Sequence, residues 1–535
     1  MTGVVGGGVV DLRDSVLSTV VEQWAARDPD RVCIVQDDGI KVTYRELDQR
    51  ASAIAAVLRD RGLQAGDRVA TLVPNDVRAI YLMLALNKIG AIEVPVNPGL
   101  VGASLRHVLH DAAPRAAVID CGYREAIEAA LPADTCRLIV DVVPERGAQA
   151  VGPDVLDDII AKPGASVKTC ALGSDTASIM YTSGTTGLPK GAVLPHRATV
   201  LIGQRTAQAL RLDSDDTLIA VLPIFHGGGK YMNVGAALIA GARLVLVRKF
   251  SASKFWDQAR EHRATVAHMV VSMAHFLLAQ PESAADRTND ITRALVVPAP
   301  QALKEAFGQR FGIPIFEMYG ATEINIPILN SPDGAVPAGS CGKPVLPFEV
   351  RIVDEYDREL PPGEVGEICI RCAEPWAMTT GYWNQPAESL NVLRNFWFHT
   401  GDAGRLDEDG HFFYVDRLKE MIRRRGENIS PRIVEDAINT IDGVVECGAY
   451  PVPSEFGEDE IAVAVVTEPG REPTLEHIRT VCVEALPRFA IPRYIRFVDE
   501  LPKTETAKVQ KYKLKQQGLD NAVELPHLTP QGARR

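Results

Sequence analysis

The chain has 535 residues, of which 46% are hydrophobic and 24% charged, and its formal net charge is −12. This length exceeds one ordinary hydrophobic core and predicts two or more domains, and the composition is typical of a soluble globular protein. The acidic balance argues against a nucleic-acid partner, although local loops can still bind anions.

Nine dispersed cysteines favour a reducing, cytoplasmic compartment. The only close pair, Cys369-Ile-Arg-Cys372, could form a metal knuckle or a redox pair, but the alternation over 366–371 favours a strand. The first ten residues lack a basic region and predict a loose N-terminus rather than a signal peptide. The apolar stretch 79–96 is interrupted by Asn87, Lys88 and Glu93, which predicts a buried helix followed by a strand and no membrane span.

Helical and strand-like segments alternate along the first two thirds of the chain. Apolar residues repeat at helical spacing over 45–61, and 68–73 and 177–180 are typical of strands. Further on the pattern predicts strands at 217–222, 244–247 and 265–271 and helices at 233–240 and 253–260. Such alternation predicts an α/β fold with largely parallel sheets, here two βα-layered sheets in a large N-terminal domain.

After about residue 342 the pattern changes. Segments 350–353, 366–370 and 411–415 alternate between turn residues and predict a smaller, more antiparallel β subdomain. A helix at 431–441, strands at 444–452 and 461–467 and a helix at 474–485 then predict a small, mobile α+β C-terminal domain. We place the boundary at 416–419, with an N-terminal domain of residues 1–415 and a C-terminal domain of residues 420–535. Lys511 and Lys513 are expected to be surface charges.

The segment Tyr181-Thr-Ser-Gly-Thr-Thr-Gly-Leu-Pro-Lys-Gly-Ala-Val193 interleaves small hydroxyl residues with glycines. Its converging O–H and backbone N–H groups form a concave anion site, to which a terminal lysine adds charge. The residues in question are Thr182, Ser183, Gly184, Thr185, Thr186, Gly187 and Lys190. The spacing fits neither a Walker A loop nor a Rossmann loop. A flexible linker is disfavoured because Pro-Lys-Gly and another apolar strand follow at once.

Two later segments carry residues suited to a nucleotide, and a third carries a lysine on a polar loop. In Glu317-Met-Tyr-Gly-Ala-Thr-Glu323, an aromatic followed by glycine can hold a base, and Glu323 suits Mg²⁺, although a turn with a solvated Glu is the alternative. In His399-Thr-Gly-Asp402 the carboxylate can accept both ribose hydroxyls, or it can simply cap a turn. In Pro502-Lys-Thr-Glu-Thr-Ala-Lys508, composition alone favours a solvated lysine.

Together, and in this order, the four segments resemble the signature motifs of the adenylate-forming superfamily, which includes acyl-CoA synthetases, non-ribosomal peptide adenylation domains and firefly-type luciferases. The resemblance covers nearly the whole chain. It departs at Ala507, where the family usually has Gly. It departs again at Val297-Pro-Ala-Pro300, where Pro298 replaces a glycine of Gly-Gly-Ala-Pro.

The resemblance implies a role for each motif residue. The 182–190 loop holds phosphates, and Tyr319, with Gly320 beside it, stacks on adenine. Thr322 touches the α-phosphate and Glu323 holds Mg²⁺. The remaining implied roles are ribose binding by Asp402, a second nucleotide contact by Arg417, a hinge at Lys419 and catalysis by Lys508.

The implied reaction uses ATP, Mg²⁺ and coenzyme A. A carboxylate attacks the α-phosphorus of ATP to give acyl-AMP and pyrophosphate, and the thiol of CoA then takes the acyl group. The 423–430 loop would line the thiol tunnel, with Arg423 near the CoA phosphates and Gly426 leaving room for pantetheine. A solvated basic face is an equally good reading of the arginines at 423–425.

The acid pocket is expected around Leu222-Pro-Ile-Phe-His-Gly-Gly-Gly-Lys-Tyr-Met232, in which His226 matches the family's gating histidine. Three glycines at 227–229 remove side chains from a pocket wall, which favours a bulky or long apolar acid over acetate. Lys230 either pairs with a polar group of the substrate or points to solvent.

Several alternatives stay open at this point. The chain could be a stand-alone adenylating enzyme that passes acyl-AMP to a carrier protein or a separate ligase. A non-catalytic AMP-binding homologue is disfavoured by Glu323, Asp402 and Lys508, and a luciferase-like oxidase shares the scaffold. No nucleic acid is expected as a partner. A second copy of the chain, forming a homodimer, is kept among the candidate partners.

Overall fold

The computed structural model describes residues 11–133, 135–143, 152, 154–161, 166–182, 189–330, 336–418, 420–424, 427–454, 459–503 and 509–525. The chain forms two compact units. The first comprises Met1–Val350, Ile370–Phe398 and Asp409–Phe412, and the second comprises Arg351–Cys369, His399–Glu408 and Phe413–Arg535. The domain boundary expected at 416–419 stays a prediction.

Up to residue 344 the strands are β1 (Val32–Gln36), β2 (Lys41–Thr43), β3 (Arg68–Leu72), β4 (Ile92–Pro95), β5 (Ala116–Asp120), β6 (Leu138–Val142), β7 (Thr176–Thr182), β8 (Lys190–Pro195), β9 (Thr217–Ala220), β10 (Arg243–Leu246), β11 (Val266–Val270), β12 (Arg293–Val297), β13 (Ile315–Phe316), β14 (Met318–Ala321), β15 (Asn325–Leu329) and β16 (Lys343–Pro344). The helices are α1 (Leu17–Arg27), α2 (Tyr44–Asp60), α3 (Val77–Ile89), α4 (Gly102–Ala112), α5 (Arg124–Ala130), α6 (Leu156–Ile160), α7 (His196–Leu210), a π-helix (Gly228–Gly235), α8 (Ala236–Ala240), α9 (Phe255–Glu261), α10 (Val271–Leu278) and α11 (Gln301–Phe311).

Beyond residue 344 the strands are β17 (Phe348–Val353), β18 (Gly366–Cys372), β19 (Phe398–Leu406), β20 (Phe412–Arg417), β21 (Ile422–Arg424), β22 (Glu427–Ile429), β23 (Val444–Pro453), β24 (Asp459–Thr467), β25 (Tyr494–Phe497) and β26 (Val523–Glu524). The helices are α12 (Pro386–Val392), α13 (Pro431–Ile438), α14 (Leu475–Ala485) and α15 (Lys511–Gln517).

The first unit contains two large sheets. A seven-stranded sheet has the order β13-β12-β11-β9-β10-β1-β2, and a six-stranded sheet has the order β6-β5-β3-β4-β7-β8. Both are parallel except for the antiparallel pairs β1–β2 and β7–β8. This confirms the predicted α/β fold with two βα-layered sheets. A three-stranded antiparallel sheet, β14-β15-β16, adds a smaller β element.

One buried apolar cluster includes side chains of both large sheets and of α2, α3, α7 and α8. Nearly every residue of α3 is buried, as expected for a helix that is apolar all round. Its Lys88 is buried too, and its ammonium lies 2.5 Å from Glu22 and 2.8 Å from Asp48. The pairing is needed because an unpaired charge in such a core is strongly destabilising.

The helix predicted over 233–240 differs from the observed one. The segment begins as a π-helix at Gly228 and becomes α-helical only at Ala236. Across the described residues, no helix is both long and apolar enough to cross a membrane.

The second unit includes most of the four-stranded sheet β17-β18-β19-β20, the β21–β22 hairpin and a C-terminal sheet of order β23-β24-β25-β26. Helices α13 and α14 contribute to one buried cluster with this last sheet, which confirms the predicted α+β module. Lys511, expected at the surface, is instead largely buried, and its ammonium lies 3.0 Å from Glu435. The surface expectation was wrong because burial of Glu435 requires a cation beside it.

Candidate active site

The carboxyl ends of the parallel strands in the seven-stranded sheet all leave the same edge, where ligands of α/β sheets commonly bind. Asn75, which follows β3 of the six-stranded sheet, is anchored at that edge. Its Nδ2 donates to the carbonyls of Leu222 (3.0 Å) and Val247 (3.2 Å), and its Oδ1 accepts from the backbone N–H of Ile224 (2.8 Å). One buried amide therefore joins the two sheets and fixes the segment that leads to His226.

His226 has an exposed side chain, yet the protein atoms around it desolvate the ring and lower its pKa. Because desolvation lowers its pKa, the imidazole is uncharged at neutral pH. Gly227, which follows it, has no neighbouring atom within 4 Å of the place where a Cβ would stand. The segment predicted for the acid pocket thus has open space next to His226.

Gly229 serves a different purpose from Gly227. A Cβ there would lie 2.2 Å from the carbonyl oxygen of Pro223, so the close approach of two backbones requires glycine. The glycines at 227 and 229 are therefore not equivalent, and only the former faces open space.

Lys230 is buried, so the expectation that it points to solvent was wrong, whereas its pairing with a polar group of the substrate stays a prediction. Its ammonium donates to the two carboxylate oxygens of Glu93 at 2.7 and 2.9 Å, and the hydroxyl of Thr71 donates to the same carboxylate at 2.9 Å. The next residue, Tyr231, shares a hydrogen bond of 2.8 Å with Ser178. The π-helix is thus fastened to β3, β4 and β7. In the sequence, Glu93 stands within an otherwise apolar strand, and a charge in such a place indicates a buried partner of opposite sign.

The carboxylate of Glu323 joins three segments that are far apart in the sequence. The hydroxyl of Thr182, at the end of β7, donates to Oε1 at 3.2 Å, and the hydroxyl of Tyr382 donates to the same oxygen at 3.1 Å. Within the described residues, Oε2 accepts no hydrogen bond from a side chain or the backbone. A carboxylate oxygen beside the phosphate loop fits Mg²⁺, which prefers hard oxygen ligands.

Lys190, the first residue of β8, forms an ion pair with Glu388, and its ammonium lies 5.5 Å from the centre of the Tyr382 ring. Lys190 and Glu323 therefore both contact the side chain of Tyr382. Neither Tyr382 nor Glu388 was expected from the sequence, where nothing in the local pattern distinguishes them.

Tyr319 is buried in β14, with its ring centre 5.1 Å from that of Phe412. At Gly320 a Cβ would lie 2.3 Å from the carbonyl oxygen of Asn325, so glycine is required by the tight β14–β15 connection. Thr322 is half-buried in that connection, beside Glu323. The motif therefore places an aromatic ring, a glycine backbone and a carboxylate within the five positions 319–323, at the end of β14 and in the connection that follows it.

Glu317 connects this motif to the 297–300 segment. Its carboxylate accepts from the backbone N–H of Ala299 at 2.9 Å and from the ammonium of Lys304 at 2.8 Å. The segment in which Pro298 replaces the usual glycine is thus held at the carboxyl edge of β12 by a buried charge-assisted bond.

In the second unit, Arg417 of β20 pairs with Asp402 of β19, the guanidinium Nε lying 2.7 Å from Oδ1. The neighbouring Asp416 accepts from the hydroxyl of Ser430 at 2.6 Å and from the backbone N–H of Arg432 at 3.2 Å. The structure thus brings together Asp402, expected to bind the ribose, and Arg417, expected to be a second nucleotide contact. Arg423 lies in β21, where its backbone pairs with that of Asn428.

Several predicted site residues lie outside the described residues. They are Ser183, Gly184, Thr185, Thr186, Gly187, Lys419, Gly426 and Lys508.

Family models match both the N-terminal and the C-terminal part of the chain. A model of the AMP-binding enzyme family matches residues 21–383, and a model of the AMP-binding enzyme C-terminal domain matches residues 433–508. The chain is 32% identical over 488 residues to the crotonobetaine/carnitine–CoA ligase of Salmonella arizonae, covering 88% of this chain and 93% of that protein. The corresponding ligase of Escherichia coli is 31% identical over 486 residues, with 89% and 93% covered.

Solved structures of similar proteins cover nearly the whole chain. ATP-bound MatB from Rhodopseudomonas palustris superposes with a TM-score of 0.85 at 29% identity, covering 94% of this chain and 98% of the other. The anthranilate CoA ligase AuaEII in complex with anthranoyl-AMP gives a TM-score of 0.84 at 25% identity, covering 94% and 97%.

The chain therefore belongs to the AMP-binding enzyme family of the adenylate-forming superfamily, and within it to the acyl-CoA synthetases. The predicted family and the predicted enzyme class, an AMP-forming acid–thiol ligase, are confirmed.

Gly229 and Gly227 form a matched pair for a stability test. Gly229→Ala should lower the free energy of unfolding by about 1–3 kcal/mol, because its methyl group meets the Pro223 carbonyl. Gly227→Ala has open space and helical backbone angles and should leave stability unchanged or raise it by up to about 1 kcal/mol. Chemical denaturation measures both, and equal effects would contradict the assignment.

Glu323→Gln should raise the Mg²⁺ concentration for half-maximal activity by about tenfold or more, because it removes the charge of an oxygen ligand. Tyr382→Phe removes only one hydrogen bond, worth about 1 kcal/mol, and should cause a shift of less than tenfold. Mg²⁺ titration of ATP–pyrophosphate exchange measures both. A wild-type Mg²⁺ response in Glu323→Gln would refute the ligand assignment.

Proposed function

We propose that the enzyme activates a carboxylic acid larger than acetate with ATP, forming acyl-AMP and pyrophosphate, and then transfers the acyl group to the thiol of coenzyme A. The observation that carries the adenylation half is the contact of Thr182 with Glu323, which are 141 positions apart. It joins the base of the predicted phosphate loop to the predicted cation ligand.

Electrostatics would dominate the first step, because an anionic carboxylate approaches a polyanionic nucleotide. No general base is required, since a carboxylic acid is already ionised at neutral pH. Mg²⁺ held by Glu323 would neutralise phosphate charge. The loop 182–187 would donate to the phosphates, and Thr322 would touch the α-phosphate. Lys190 would exchange its contact with Glu388 for a phosphate oxygen.

The adenosine would lie against Tyr319 and Gly320, and its ribose hydroxyls would bind Asp402, whose pairing with Arg417 already fixes the carboxylate. Lys508 would stabilise the developing charge of the adenylation transition state. A hinge at Lys419 would then let the C-terminal domain, residues 420–535, rotate. The rotation would withdraw Lys508 from the site and present another face of the domain for thiol transfer. Arg423 would contact the CoA phosphates there, and Gly426 would leave room for the pantetheine arm.

A bulky or long apolar acid is supported by the open space at Gly227 beside the uncharged His226, which would gate the pocket. The relatives named for crotonobetaine, carnitine and anthranilate act on acids larger than acetate. Coenzyme A as acceptor is supported by the same names, all of which describe CoA ligases. We place the enzyme in the cytoplasm because of its dispersed cysteines, all nine of which are free thiols.

Lys508→Ala should reduce ATP–pyrophosphate exchange by about 10²–10³-fold, the usual effect of removing one preorganised donor from a transition state. Its unfolding midpoint should stay that of the wild type. Lys513→Ala, an exposed lysine in the same region, is the matched control and should retain full exchange. Undiminished exchange in Lys508→Ala would remove the proposed role.

An ATP–pyrophosphate exchange screen over carboxylic acids of graded size, with and without CoA, tests the whole proposal. Exchange should increase from acetate to larger apolar acids, and thioester should form once CoA is added. Exchange without thioester would favour a stand-alone adenylating enzyme that supplies a carrier protein or separate ligase. A rate of ATP–pyrophosphate exchange that stays at background with every acid would refute the enzymatic function.

A further inference from the structure

Three side chains with metal-binding atoms converge in the second unit, apart from the residues of the predicted nucleotide site. Glu367 and Cys369 lie on the same face of β18, two positions apart, and His399 lies on the neighbouring strand β19. The Nδ1 atom of His399 is 2.9 Å from Oε2 of Glu367 and 3.4 Å from Sγ of Cys369. All three ligand atoms lie within 4.8 Å of one another, and Cys369 and His399 are buried.

The three groups crowd one ring nitrogen. An imidazole Nδ1 carries either one hydrogen or one lone pair, so it cannot serve the carboxylate and the thiol equally well at the same time. A cation placed between the three atoms would satisfy all of them at once. Thiolate, imidazole and carboxylate are the ligands that Zn²⁺ takes in proteins. Zn²⁺ with bonds of about 2.0–2.3 Å in a tetrahedral site separates neighbouring ligand atoms by about 3.3–3.6 Å. The Nδ1–Sγ distance of 3.4 Å lies in this range, and the Nδ1–Oε2 distance of 2.9 Å would lengthen by about 0.4 Å on metal binding.

The surroundings of the cluster have the features of a metal site's outer shell. The other ring nitrogen of His399, Nε2, faces Oδ1 of Asp357 at 3.8 Å, which is an ion-pair distance and longer than a hydrogen bond, and it lies equally far from Sγ of Cys369. Metal-bound histidines almost always face a carboxylate or carbonyl with their second nitrogen, which orients the ring. Glu367 uses its other oxygen, Oε1, to accept from the backbone N–H of Gly401 at 3.1 Å, which leaves Oε2 directed at the cluster.

We propose that Glu367, Cys369 and His399 bind a divalent, zinc-type metal ion, with water as the fourth ligand and Asp357 orienting the histidine. The ion links β18 to the turn at 399–402 and thereby stabilises the strand that carries Asp402. Of the two cysteines in Cys369-Ile-Arg-Cys372, only Cys369 is a ligand of this site. The ion takes no part in the bond-making and bond-breaking of the proposed adenylation step.

Cobalt substitution tests the proposal on the full-length protein. The chelator-treated enzyme is titrated with Co²⁺, followed by Zn²⁺ as competitor. One equivalent of Co²⁺ should give the thiolate-to-cobalt absorption band and the visible bands of tetrahedral cobalt, and Zn²⁺ should abolish them. Absence of a thiolate band in the folded wild type would overturn the proposal.

Variants separate this site from adventitious binding. Cys369→Ser should lose the thiolate band, whereas Cys372→Ser, on the same strand, should retain it. The opposite pattern would overturn the proposal. Asp357→Asn is a second test that leaves the core intact, because the left-handed backbone at this position suits Asn. It should weaken Co²⁺ binding about 10–100-fold, and unchanged affinity would contradict the orienting role.

Discussion

The carboxylate of Glu323 is the contact on which the candidate active site depends. It accepts hydrogen bonds from Thr182 and Tyr382, so the phosphate-loop hairpin, the β14–β15 turn and the 379–383 segment meet at one oxygen. Thr379 reinforces this meeting point, since its backbone N–H donates to the carbonyl of Glu323 at 2.8 Å. Polar groups fixed in this way before a ligand binds need little reorganisation during a reaction, which is where electrostatic catalysis gains most.

A second buried network supports the segment around His226, which is predicted to face the acid. Lys230 and Tyr231 fasten the π-helix to three strands of the six-stranded sheet through Glu93, Thr71 and Ser178. The segment before the π-helix is held from the other side by Asn75. The backbone around His226 is therefore rigidly supported. Variation in acid specificity would depend on the side chains that face open space, at His226 and Gly227, rather than on the supporting network.

Much of this could be predicted from the sequence. Alternating strand and helix patterns were sufficient for the two largely parallel sheets, because the period of apolar residues differs between the two element types. The nucleotide-site motifs were recognisable because they combine residues that rarely occur together by chance, as in the hydroxyl and glycine run before Lys190. Glu323 and Thr182 were both expected in the site, although their direct contact was not.

The features of the site that could not be predicted depend on contacts between residues far apart in the sequence. Tyr382 and Glu388 lie in a segment without a distinctive local pattern, and only the fold brings them to Glu323 and Lys190. Burial of Lys230 and Lys511 was missed for the same reason, since each cation is placed by a carboxylate far away in the sequence. The π-helix was missed because its glycines indicated an open wall, whereas Gly229 in fact packs against the Pro223 carbonyl.

The central claim is that Glu323 holds the cation that accompanies ATP. The most direct measurement is a crystal structure with Mn²⁺ and a non-hydrolysable ATP analogue, in which anomalous scattering locates the metal. We expect a manganese ion within coordination distance, about 2.0–2.3 Å, of a Glu323 carboxylate oxygen and bound to the nucleotide phosphates. A manganese ion on the phosphates alone, with Glu323 still engaged only by Thr182 and Tyr382, would contradict it.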